Sequence, residues 1–65
     1  MTAEREQEII AALRAIAANF QPTEHEPELT MFGLVRRYNE EYPNPERIGG
    51  AWVREHVPEF ANLPV

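Results

Sequence analysis

The chain has 65 residues and contains no cysteine, lysine, aspartate or serine; six Arg oppose eleven Glu, for a formal net charge of -5. These absences exclude a disulfide framework, a thiolate metal site, Schiff-base chemistry, a phosphate-loop lysine and the commonest nucleophile triads. A chain this short makes one domain, residues 1–65, and buries only about 60% of its unfolded surface, so a partner or a second copy is expected to add buried area.

The first predicted element spans residues 2–20. Thr2 can cap it, and Glu4, Glu6 and Glu8 set negative charge near the positive end of the helix dipole. Ile9, Leu13, Ile16 and Phe20 recur at helical spacing, with Ile10 and Ala17 widening the stripe. Arg5 can reach Glu8 one turn on. The apolar run from Ile9 to Phe20 is interrupted by Arg14 and Asn19 and is too short for the roughly 20 residues of a membrane span. Nothing ahead of it reads as a basic leader, so a cytoplasmic protein without membrane contact is expected.

Gln21-Pro22 closes that helix, because the residue before a proline is pushed out of the helical region. Thr23-Glu24-His25-Glu26 has the pattern of a capping box and predicts a second helix over 27–42. Its core face is expected to carry Leu29, Phe32, Val35, Tyr38 and Tyr42. Gly33 costs a helix roughly 1 kcal/mol relative to Ala, and close approach of the first helix would account for it.

Pro43-Asn44-Pro45 reads as a stop and restart, with Asn44 as cap and Pro45 at the first helical position. The third helix is predicted over 45–57 with Ile48, Trp52 and Val57 buried. Gly49-Gly50 offers an alternative start at Gly50, after a short turn over Pro45 to Ile48. Pro58 ends the helix, and the apolar tail 58–65 can fold back. The expected fold is all-α: a compact three-helix domain with a short apolar C-terminal tail.

The chemistry-bearing residues are few. His25 stands among Glu24, Glu26 and Glu28, but acids belong at a helix start and no second His lies one turn away, so no metal site is expected. The nucleophiles reduce to Thr2, Thr23, Thr30, Tyr38 and Tyr42 and the bases to His25, His56 and the glutamates. A three-helix domain of this size rarely encloses a reaction pocket, so no enzyme, catalytic residue or cofactor is expected.

Four of the six arginines, Arg36, Arg37, Arg47 and Arg54, fall near most of the aromatics. Arginine and aromatic residues are enriched at protein interfaces. The expected partner-binding residues are Arg36, Arg37, Tyr42, Arg47, Arg54, Phe60 and Leu63. The expected function is protein–protein interaction by occlusion or scaffolding, with a homodimer also anticipated.

Two alternatives remain open. In a helix-turn-helix-like DNA-binding regulator, Arg47 and Arg54 would contact the duplex, although Glu40, Glu41, Glu46 and Glu55 cancel the arginines between Thr30 and Val57. In an acidic inhibitor of a nucleic-acid-binding protein, Glu4, Glu6, Glu8, Glu24, Glu26 and Glu28 would carry the contact.

Overall fold

The structure, a computed structural model, describes residues 2–42 and 47–65. It is an all-α, three-helix domain: α1 (Ala3–Asn19), α2 (Met31–Glu41), α3 (Gly50–His56) and a 3₁₀ turn (Pro58–Phe60). Thr2 caps α1 as expected, its hydroxyl accepting the Arg5 backbone N–H at 3.1 Å. Ile9, Ile10, Leu13 and Ile16 are all buried, so the 3.6-residue spacing placed the face of α1 correctly. At the other end the Asn19 amide donates to the Ala15 carbonyl at 2.9 Å and helps close the last turn.

The second helix begins at Met31, four residues later than the predicted 27–42. Half of the capping box does form: the Glu26 N–H donates to the Thr23 hydroxyl at 3.0 Å. The Thr23 N–H, however, donates to the backbone carbonyl of Glu26 at 2.9 Å rather than to its carboxylate. Glu26 precedes Pro27, a position that disfavours helical backbone, so this turn closes on itself and no helix grows from it. Thr30 supplies the cap instead, its hydroxyl accepting the Gly33 N–H at 3.0 Å. The Met31 N–H, one of the donors that a helix start leaves unpaired, donates to the Pro64 carbonyl at 2.7 Å. That bond fastens the tail across the start of α2.

The buried face of α2 is also rotated from the expected one. Met31, Leu34 and Tyr38 are buried, whereas Phe32 is 69% exposed and Tyr42 43% exposed. Leu29 and Val35 pack at the margin of the core. Apolar residues at 31, 32, 34, 35 and 38 supply two overlapping helical stripes, and α1 packs on the first of them.

The third helix starts at Gly50, which is the later of the two starts that the glycine pair allowed. The predicted cap Asn44 and first-turn Pro45 lie outside the described residues; Arg47 to Gly49 are not helical. Ile48 and Val57 are buried as predicted, Trp52 is half-buried, and Val53, not anticipated, is fully buried. The two glycines differ in need. A Cβ on Gly50 would stand 3.0 Å from the Met31 Cγ, so α3 meets α2 closely there, while a Cβ on Gly49 would meet nothing within 4 Å.

Two tail residues, Phe60 and Leu63, were expected to bind a partner. Phe60 is instead buried, at 8% exposure, and Leu63 is half-buried against the core. The 3₁₀ turn after Pro58 points Phe60 inward, and Arg14 of α1 holds the turn through Glu59, at 2.8 and 3.0 Å. Leu13, Leu34, Val53 and Val57 have no exposed surface, so one core joins all three helices.

Candidate functional site

The arginines divide into two groups. Arg5 pairs with Glu8 at 3.1 Å, Arg14 with Glu59, and Arg37 with Glu26. Arg36, Arg47 and Arg54 are exposed, and their side chains make no ion pair or hydrogen bond among the described residues. In a chain with nearly twice as many glutamates as arginines, these three stand on or beside α2 and α3, where their guanidinium groups face solvent.

Arg37 is a structural clasp. Its guanidinium forks onto both carboxylate oxygens of Glu26, with the Nη1–Oε2 bond at 3.0 Å, and donates to the Gly33 carbonyl at 3.2 Å. Its Cζ also lies 5.2 Å from the centre of the Phe20 ring, a cation–π distance. One side chain thereby joins the end of α1, the 20–30 connection and α2. The clasp, not helix one, explains Gly33: a Cβ there would stand 2.8 Å from Glu26 Oε2 and 3.0 Å from Arg37 Nη1.

The hydrogen bond from Arg37, opposed by partial burial and reinforced by the charges of Arg37 and Arg36, holds the Glu26 carboxyl below its ordinary range; the same bond raises Arg37. A carboxyl depressed on folding stabilises the native state above its ordinary pKa, and that contribution is lost as pH falls through the depressed value. The urea midpoint of the wild type is therefore expected to drop between about pH 5 and pH 3. Glu26→Gln should start lower at pH 7 and fall less over that interval; parallel curves would remove Glu26 as a source of the acid sensitivity.

Two depressions flank α2. One, of about 220 Å³, is lined by Met31, Phe32 and Val35 of α2, Gly50 and Arg54 of α3, and Val65. Its floor and walls are apolar, Phe32 stands out from it, Val65 is 91% exposed and Arg54 forms part of its edge. Arg36 lies one helical turn beyond Phe32, on the same side of α2. The second depression, of about 280 Å³, lies between the end of α1 and the end of α2, where Asn19, Gln21, Arg37, Glu41 and Tyr42 line it. Its arginine is already neutralised by Glu26, and the Tyr42 ring is stacked on Tyr38 at 5.3 Å.

The seven residues expected to form one surface thus separate. Arg54 lines the apolar groove and Arg36 flanks it. Arg47 is exposed ahead of α3. Arg37 and Tyr42 line the opposite depression, and Phe60 and Leu63 belong to the core. Phe32, Val35, Met31 and Val65 were missed as groove residues. Helical spacing alone puts Phe32 on the core stripe; its separation of four from Arg36 is the signal that points the other way.

Several of the residues considered for catalysis have structural occupations. The hydroxyls of Thr2, Thr23 and Thr30 each accept a backbone N–H, and Tyr38 is buried. His56 stacks on Trp52 with centroids 4.0 Å apart. Its Nδ1 donates to the Trp52 carbonyl at 2.9 Å, and its Nε2 lies 3.7 Å from Glu6. Among the described residues no three metal-ligating side chains gather, and no helix is long and apolar enough to cross a membrane. Of the glutamates considered as an acidic face, Glu6, Glu8 and Glu26 each face a histidine or arginine of the same chain. The chain matches no family model, no curated protein and no solved structure.

Proposed function

We propose that this domain is a non-enzymatic protein-binding module that engages another protein through the α2–α3 face by occlusion or scaffolding. The observation that carries this reading is the exposed Phe32 at an apolar groove beside two arginines, Arg36 and Arg54, that have no ion-pair partner among the described residues. An aromatic anchor with arginines around a concave apolar patch is the composition of interface hot spots. A twofold pairing of copies through this groove would set Arg36 and Arg54 of each copy near those of the other. Like charges so placed oppose association, which favours a partner of different sequence.

Duplex reading is the weaker alternative. The third helix has seven residues and opens with Gly50 and Ala51, where a recognition helix presents its base-reading side chains. With a net charge of -5, long-range attraction to a polyanion is absent.

Affinity capture from a lysate of the source cells tests the proposal, with the wild type compared against Phe32→Ala/Arg54→Glu. Both substitutions fall on exposed side chains, so the variant should fold normally. Proteins retained by the wild type and lost by the variant are expected; identical sets would contradict the proposed surface.

A further inference from the structure

We infer that the occupant of the α2–α3 groove is an acidic protein segment that inserts a single large apolar side chain and sets carboxylates against Arg36 and Arg54. This inference rests on the protein-binding reading above and adds the chemistry of the partner. Three features lead to it.

The groove is an open depression of about 220 Å³, below the roughly 300–1,000 Å³ of ordinary small-molecule pockets. It therefore suits one inserted side chain better than a cofactor or metabolite. Its lining is apolar: Met31, Phe32, Val35 and Val65 contribute side chains, and Gly50 has none to add.

Two arginines stand at the edge. Arg54 lines the groove and Arg36 lies one turn from Phe32, and neither is committed to a glutamate by an ion pair among the described residues. A guanidinium presents a planar fork that matches a carboxylate with two parallel hydrogen bonds. The remainder of the molecule carries an excess of glutamate. An acidic segment that approaches elsewhere is repelled, so the complementary field selects this face and gives the segment a direction.

A short carboxylate-bearing segment also suits this patch better than a nucleic acid. Nucleic-acid affinity accumulates over many phosphate contacts, whereas this face supplies Arg36 and Arg54.

Selection of phage-displayed random 12-residue peptides on the wild-type domain tests the inference. Each enriched peptide is then measured on Phe32→Ala and on Arg36→Glu/Arg54→Glu, whose folding is checked by circular dichroism. Enriched peptides are expected to carry Asp or Glu around one Leu, Ile, Met, Phe or Trp, and to lose about tenfold or more in affinity on either variant. Replacing their acids by Lys should restore binding to the double-arginine variant.

Peptides without acidic bias that lose affinity on Phe32→Ala but not on Arg36→Glu/Arg54→Glu would overturn the acidic occupant and leave the groove as a protein-binding site. Peptides that bind Phe32→Ala as well as the wild type would overturn the groove itself. Failure to enrich any peptide, with a labelled oligonucleotide binding at about 50 mM salt, would replace both readings with nucleic-acid binding.

Discussion

Leu34→Ala is expected to lower the unfolding free energy by about 2–5 kcal/mol, while Phe32→Ala, two residues earlier on the same helix, should stay within about 0.5 kcal/mol of the wild type. Leu34 has no exposed surface and lies among side chains from all three helices; Phe32 is mostly in water. Removing Leu34 leaves a cavity that its neighbours fill only in part, so the lost transfer free energy and the cavity act together. A domain of this length has a total stability on the order of 3–10 kcal/mol. Leu34→Ala should therefore shift the urea midpoint strongly or leave the chain largely unfolded in buffer. The comparison reports the rotational setting of α2. Equal losses for the two variants would mean that Phe32 faces the core after all, and the groove would lose its anchor.

Gly50→Val is expected to cost about 1–3 kcal/mol through overpacking. Its Cβ alone would stand 3.0 Å from the Met31 Cγ, and the branched methyls would press further on a residue that is itself buried. Met31 has limited freedom to yield, because its N–H is tied to the Pro64 carbonyl. The adjacent glycine should behave in the opposite way. Gly49 is the N-cap of α3, with extended backbone that any residue adopts and open space around it. Gly49→Ser adds a side-chain cap and reduces the freedom of the unfolded chain, for a gain of about 0.5–1 kcal/mol. Thermal denaturation of the two variants side by side checks both signs. A tolerated Val at position 50 would show that α3 does not approach α2 as closely as described.

The parts of the fold that were legible in the sequence are those governed by local rules. Thr2, the 4-3-4 spacing of α1 and the stop at Pro58 are each decided within a turn or two of chain. The start of α2 was less legible because Thr23-x-x-Glu26 and Thr30-x-x-Gly33 compete as caps. The outcome turned on Pro27 and on a hydrogen bond from Met31 to Pro64, far along the chain. The face of α2 was ambiguous for a related reason: two apolar stripes share Tyr38, and only packing against α1 chooses between them. That rotation placed Phe32 outside, and so the groove could not be read in advance. Composition did point to an arginine-rich surface, but it could not separate Arg37, held by Glu26, from Arg36 and Arg54. Pairing over a separation of eleven residues has no periodic signature. Phe60 and Leu63 were misplaced for want of the 3₁₀ turn that bends the tail inward.

We propose the α2–α3 groove as the place where this domain takes hold of another protein. Amide chemical-shift mapping of the isotope-labelled domain during titration with an enriched acidic peptide tests it most directly. The predicted result is a contiguous set of saturable shifts at Met31, Phe32, Val35, Arg36, Gly50 and Arg54, with the outer face of α1 unchanged. Shifts centred on α1, or on the depression beside Tyr42, would contradict it.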